Sequence, residues 1–321
     1  MADRSTPRQV LGCDVGQDSV VICDSLSGSR RSVANTPDPL RRALAELVPV
    51  PGDALLVCEA TGGHEATLLS VAWEAGLAAH RADPRKAHNF LRSLRSAGKS
   101  DPIDAEGLAR YGIERGDRLP LWQPPVPDRQ ALQGLVRLRA DLVGDRADYL
   151  RRLKSPSQGL DKRHIQAVVD ALAERVAAIE ADIDRLIAQS QDLSQSVAII
   201  TAIKGCGWKT ATSLLALMPE LGHLDRHQAA ALAGLAPYPN DSGKTEGYRR
   251  IRGGRPAVRA ALFPAAMTAC RHHPQLRQHY QALLSRGKKP IVATLAIARK
   301  LITIINAKLR DARAQPAQQL C

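Results

Sequence analysis

Four prolines fall within eight residues, Pro120–Pro127. Proline lacks the backbone N–H and fixes φ, so neither a helix interior nor a central strand runs through such a stretch. The chain must therefore fold as separate parts on either side of a linker. Its 321 residues leave room for two or three domains. A hydrophobic share of 44% supplies cores, and an aromatic share of only 3% means they are built mainly from Leu, Ala, Val and Ile. The expected parts are 1–122, 123–195 and 196–321.

Before the prolines, short apolar runs alternate with helical stretches. Val10–Asp14 and Ser19–Asp24 read as a hairpin-like strand pair, and Ala54–Cys58 as a buried strand between Gly-Asp and Thr-Gly-Gly. Ala78–Arg81 reads as a further strand. Pro39–Leu47, Glu65–Ala75, Pro84–Leu94 and Ile103–Glu114 read as helices. Strands first, then alternation with helices, predict an α/β domain with a mixed sheet. After the prolines come two long helical stretches with heptad-like stripes. Leu135, Leu138, Leu142, Tyr149 and Leu153 form one; Leu172, Val176, Ile179, Ile183 and Leu186 form the other. The break at Ser155–Gly159 makes them a helical hairpin or coiled-coil arm, a device for assembly. From Ile199 the chain reads all-α, ending in an apolar helix, Ile291–Leu309, and a frayed tail, Asp311–Cys321.

The net charge of +13 is unevenly placed. Residues 1–120 carry 15 Lys/Arg against 16 Asp/Glu, residues 121–200 carry 11 of each, and residues 201–321 carry 19 against 5. A basic excess confined to one third of the chain is the electrostatic footprint of a domain that grips phosphates. The six cysteines show no CxxC pair, so neither a zinc site nor a disulfide frame is indicated. His272-His273 and the other histidines lack metal-ligand spacing. With no signal-peptide order and no uninterrupted apolar run of about 18 residues, the expectation is a cytoplasmic protein, associated with the nucleoid, with no membrane partner.

Two constellations carry chemistry. Asp14 and Glu59 end strands, and Asp101 and Asp104 stand three apart where a helix begins after Gly98-Lys99-Ser100. Strand ends of one sheet converge on one edge, and acids gathered there repel unless a divalent cation sits among them. An all-oxygen set suits Mg²⁺ or Mn²⁺, the clamp used in phosphoryl transfer. Either of the paired aspartates could equally be a simple helix cap. The second constellation runs from Gly234 to Arg259, with six basic residues and one acid between Ser242 and Arg259. Lys244, Arg249, Arg250, Arg252, Arg255 and Arg259 are the expected phosphate contacts. Gly243, Gly247, Gly253 and Gly254 would let the backbone approach a ligand. A nucleotide-binding P-loop is excluded, because its pattern needs glycine where Tyr238 stands. On the residues alone, Ser242 is either a phosphate contact or a nucleophile. Upstream, Ile200–Ala211 resembles a helix-hairpin-helix, with Gly205, Gly207 and Lys209 facing phosphates.

GCDVG, CEATGG and KSDPIDA resemble the metal-binding segments of RuvC-like nucleases of the RNase H superfamily. More narrowly, they are similar to the DEDD-type transposases of the IS-one-ten insertion-sequence family and the related Piv-type DNA invertases. The run from Gly234 to Leu262 resembles the family's C-terminal transposase segment, whose serine links covalently to DNA. The resemblance covers essentially the full chain. It implies an RNase H-like domain, a helical coiled-coil arm and a basic all-α transposase domain. It also implies that Asp14, Glu59, Asp101 and Asp104 hold Mg²⁺ and that Ser242 is the nucleophile of a transesterification. Lys99 joins the nucleic-acid contacts. The implied partners are double-stranded donor and target DNA, a non-coding guide RNA, and further copies of this chain in a dimer or tetramer held by the arm. One departure is that Gln17 stands where the family often has a lysine after the first aspartate. The rival readings are a metal-dependent junction endonuclease that uses water and a non-enzymatic DNA-binding protein.

Overall fold

A computed structural model describes residues 7–94, 104–156, 162–239 and 249–314. The chain divides into two compact units, 1–124 and 125–321.

In the first unit, β1 (Gln9–Val15), β2 (Ser19–Asp24), β3 (Arg30–Ala34), β4 (Ala54–Glu59) and β5 (Ala78–Ala82) form one sheet in the order β3-β2-β1-β4-β5. The first three strands are antiparallel, whereas β1, β4 and β5 run parallel. Helices α1 (Pro37–Leu47), α2 (Glu65–Glu74), α3 (Pro84–Leu94) and α4 (Ala105–Arg115) complete the unit. Strand side chains alternate between faces. Leu11, Cys13, Leu56 and Cys58 therefore share one core with Leu40, Leu44, Leu68 and Leu69 of α1 and α2. Val10, Leu55 and Val57 share the other with Phe90, Leu91, Leu108 and Ala109 of α3 and α4. This mixed sheet with helices on both faces is consistent with an RNase H-like fold.

The sequence missed β3, a mostly exposed edge strand of sequence RRSVA without an apolar alternation to betray it. The proline stretch also differs from a free linker. Trp122 N donates to Ala79 O at 2.7 Å and its ring meets Trp73 edge-on at 6.3 Å, so 120–122 pack onto the sheet domain. Pro127 starts the next helix, where a missing N–H costs nothing.

Among its described residues, the second unit is helical apart from one ribbon. Its elements are α5 (Pro127–Lys154), α6 (Lys162–Gln189), α7 (Gln191–Thr201), α8 (Trp208–Leu217), α9 (Arg226–Leu232), β6 (Pro237–Tyr238), β7 (Arg250–Ile251), α10 (Pro256–His272), α11 (Pro274–Ser285) and α12 (Pro290–Ala314). α5 and α6 pack together, tied by an Arg139–Glu180 ion pair at 2.6 Å. The stripe on α6 is as expected, with Ile179 and Ile183 buried. On α5 the expected Leu135, Leu142, Tyr149 and Leu153 are half-buried, Leu132 and Val136 are the fully buried positions, and the exception is Leu138, which is 49% exposed.

One core runs from Leu132 and Ile183 through Leu214, Leu262 and Ile297 to Leu309. α12 is its central helix, and its buried Ala293, Ile297, Leu301, Ile302 and Ile305 explain why it is apolar. Among the described residues it alone is long and apolar enough to cross a bilayer. It continues to Ala314, past the expected start of a frayed tail.

Candidate active site and nucleic-acid interface

The parallel pairing of β1 and β4 sets Cys13 level with Cys58, so the next residues, Asp14 and Glu59, stand side by side. Adjacent strands lie about 4.8 Å apart. Both acids have the parity of Val10 and Val57 and so point to the α3/α4 face. Asp104 reaches the same edge from α4. It is the N-cap of that helix, in extended conformation, and one carboxylate oxygen accepts from Gly107 N at 2.8 Å. The expected helix start at Ile103 is thus corrected to Ala105. The cap reading of Asp104 is fulfilled while its second oxygen remains for other use. Asp101 and Lys99 lie outside the described residues.

A glycine sets this approach. A Cβ on Gly12 would stand 2.0 Å from Ala105 O and 2.3 Å from Ala109 N. The first turns of α4 therefore lie directly on the β1 backbone, which brings Asp104 to Asp14. Gly112 repeats the device on the same face about one turn further along, where a Cβ would meet Val10 at 2.5 Å. The sequence signal was a small-residue row on α4, Ala105, Ala109 and Gly112, matched by Gly12 on β1.

The electrostatics are those of acids pressed together. Burial pushes the Asp14 carboxyl above its usual range, and the charge of Asp104 adds to the shift. Burial also pushes Glu59 up, helped by Asp14 and opposed by His88. Oε2 of Glu59 is buried with no hydrogen-bond partner. Asp24, another strand-end acid, shows the contrast. It accepts from Gln9, Leu26 and Ser27, which overcome its burial and hold it below the usual range. Asp24 closes a turn, whereas Glu59 lacks a protein partner for Oε2. Among the described residues no three His, Cys, Asp or Glu side chains are close enough to form a complete metal site. An oxygen-only donor set with mutual repulsion and an orphaned buried oxygen nevertheless fits a hard divalent cation. The described cysteines, 13, 23, 58, 206 and 270, are all buried and unbridged.

In the second unit, β6 and β7 pair antiparallel, Tyr238 with Arg250. Residues 240–248, with Ser242, Gly243, Lys244 and Gly247, lie outside the described residues. Arg249, Arg250 and Arg252 are exposed. Arg255 is engaged within the fold, with both terminal nitrogens on the Glu220 carboxylate at 2.7 and 2.6 Å and a further bond to Leu217 O. Arg259 donates to Gly234 O at 3.0 Å. Gly254 also differs from its expected role. Its φ is +65°, and a Cβ there would meet Gly234 N at 2.2 Å, so this glycine lets two loop backbones touch each other.

α7 and α8 flank a short turn at the segment where a helix-hairpin-helix is expected. Gly205, at φ +107°, is packed against Ala265 and Ala269 of α10. Gly207 caps α8 in open space, and Lys209 lies 3.6 Å from Glu180. A wider feature escaped the sequence reading: residues 247–310 contain fourteen Lys/Arg and no Asp or Glu. Arg271, Arg277, Arg286, Lys288, Lys289 and Lys300 are exposed. Burial, with Lys300, Arg286 and Arg299 nearby, pushes His279 down. The signal available was the length of the acid-free run.

A carboxylate-edged mixed sheet and a cation-rich helical unit on one chain fit a protein that acts on DNA, and the comparisons give its class as transposase. Residues 11–156 match the DEDD transposase family of IS110 elements, and residues 197–281 match the family described as Transposase IS116/IS110/IS902. The pilin gene-inverting protein of Moraxella lacunata is 27% identical over 262 residues, 80% of each chain, and that of Moraxella bovis matches to the same extent. An uncharacterized protein of insertion element IS116 from Streptomyces clavuligerus is 30% identical over 218 residues, 63% of this chain and 54% of that one. The chain belongs to the IS110/IS116 family of transposases, related to the pilin gene-inverting recombinases. It is a DNA strand transferase.

Proposed function

We propose that the chain cuts and rejoins DNA through a phosphoserine link formed by Ser242. Oγ of Ser242 attacks a DNA phosphorus, the Oγ–P bond forms, and the P–O bond to the leaving DNA oxygen breaks, that oxygen taking up the proton the serine gives up. A DNA hydroxyl from another strand then attacks the phosphoserine, restoring a phosphodiester and returning the proton to Oγ. Bond energy is conserved, so no ATP enters. Asp14, Glu59, Asp101 and Asp104 would hold Mg²⁺ or Mn²⁺. When bound, the metal supplies neutralisation of the charge that develops on the phosphate oxygens. The observation that supports the metal part of this reading is the buried, unpartnered Oε2 of Glu59 beside Asp14 on an edge that Asp104 also reaches, and the serine part rests on the match to the transposase family.

The division of labour we infer is a metal-binding part at 1–122, an α5–α6 coiled-coil arm at 123–195 that assembles copies of the chain, and a basic serine-bearing part at 196–321. Lys99, Gly205, Gly207, Lys209, Lys244, Arg249, Arg250, Arg252, Arg255 and Arg259 contact nucleic acid in this scheme, Arg255 and Arg259 by shaping the loop they anchor. Donor and target DNA are the substrates, a non-coding RNA guides target choice, and the enzyme works in the cytoplasm at the nucleoid.

The test is denaturing electrophoresis of the enzyme with labelled DNA, with and without Mg²⁺. Wild type is expected to give a covalent protein–DNA adduct that Ser242→Ala abolishes, with strand joining falling by about a thousandfold or more. Mg²⁺-dependent cleavage that survives Ser242→Ala and leaves no adduct would instead identify a water-using endonuclease.

A further inference from the structure

We infer that Glu65 is the positioning residue that holds Glu59 in place, by clamping the loop between them. The inference rests on the reading of Glu59 as a metal ligand. Glu65 opens α2 and is 2% exposed. One of its oxygens accepts from Thr61 N at 3.1 Å, Thr61 Oγ1 at 3.1 Å and Gly63 N at 2.9 Å. The other accepts from Arg81 Nε at 2.7 Å and Nη2 at 2.6 Å.

Arg81 belongs to β5, which pairs with β4 at Cys58↔Arg81 and Glu59↔Ala82. The carboxylate thus ties the loop after Glu59 to the strand beside Glu59. Ala60 N adds a bond to Ala82 O at 3.2 Å, so the backbone is held on both sides of Glu59. Gly62 and Gly63, at φ +76° and +117°, give the loop the reversal that aims Thr61 N and Gly63 N at a single oxygen.

Every group around Glu65 is a donor, and only an ionised carboxylate accepts on both sides. Burial pushes its pKa up, and the backbone amides and Arg81 more than reverse this, keeping it charged. A glutamine would have to turn its NH₂ toward either the loop amides or Arg81. Removing Arg81 as well would free the glutamine to present its carbonyl to the loop.

The test is Mn²⁺ binding to the full chain, followed by electron paramagnetic resonance, alongside hydrogen–deuterium exchange of residues 60–64. Glu65→Gln is expected to speed exchange in that loop and weaken Mn²⁺ binding about 10–100-fold, and Glu65→Gln/Arg81→Met to recover most of both. A folded Glu65→Gln protein with faster loop exchange and unchanged Mn²⁺ affinity overturns the inference. Should Glu65→Gln not fold, Arg81→Met is expected to show a smaller loss in the same direction, and unchanged affinity there overturns it equally. Glu59→Gln is the control. If it binds Mn²⁺ as wild type does, the metal reading fails first and the inference falls with it.

Discussion

The sheet edge of the first unit and the helical surface of the second are opposite solutions to one electrostatic problem. At the edge, burial pushes the Asp14 and Glu59 carboxyls up, and the neighbouring carboxylates Asp104 and Asp14 add to it. Among the described residues after 200, the acids Glu220, Asp225 and Asp311 are each given a cation or a cap. Glu220 is held down against its burial by Arg255, and Asp225 by the amides at the start of α9. The edge is therefore loaded with half-buried acids, and the surface after residue 200 with cations that outnumber its acids. In the proposed function each would be relieved by a ligand of the sign it lacks, a divalent cation in one case and a polyanion in the other.

The largest effect that would sharpen this contrast is at the edge. Glu59→Gln is expected to lower Mg²⁺-dependent cleavage about 100–1000-fold while raising the melting temperature of the metal-free protein at neutral pH by about 2–4 °C. The sign follows from linkage. A carboxyl with a raised folded pKa binds more protons folded than unfolded, so its contribution falls as pH climbs from the ordinary carboxylate range through the raised value. The stabilising effect of Glu59→Gln should therefore fade on acidification. Glu220→Gln should behave oppositely. Its lowered pKa contributes stability at neutral pH that is lost as pH falls below roughly 4. Melting curves in chelator across pH decide both, and parallel trends for the two variants would break the comparison.

Next in size is Gly12→Ala. The methyl cannot coexist with the Ala105 carbonyl, so α4 must move off β1, at about 1–3 kcal/mol or more by denaturant titration, with loss of cleavage as Asp104 departs. Gly134→Ala on α5, where a Cβ meets nothing within 4 Å, is the control. It should stabilise by about 1 kcal/mol. The smallest effect belongs to the basic surface. Arg286→Ala or Lys300→Ala should each reduce the salt slope of DNA binding by about 1 and weaken all sequences alike. An unchanged slope would remove the α11–α12 cations from the interface.

What was legible in the sequence follows the strength of local signals. Buried parallel strands such as Ala54–Glu59 announce themselves as apolar runs, so the ends bearing Asp14 and Glu59 could be placed. The face they share required the register Cys13↔Cys58, which no local pattern contains. β3 stayed hidden because an exposed edge strand needs no apolar face. Leu138 misled because a heptad count does not see that Arg139 reaches across to Glu180. Gly254 was legible as special, but its contact with Gly234 was not, since close backbone approach looks the same in sequence whether its object is a ligand or another loop. Glu65 could be seen only once Arg81 and the loop amides had been brought around it.

The position of α12 in the chain has a consequence for synthesis. Domains tend to fold as they emerge, earlier ones first. The sheet domain holds all its strands before residue 83 and can close early. The helical core instead waits for Ile297, Leu301 and Ile305, which come from its last helix. A nascent chain thus carries a finished acidic edge before it has a finished surface for holding DNA.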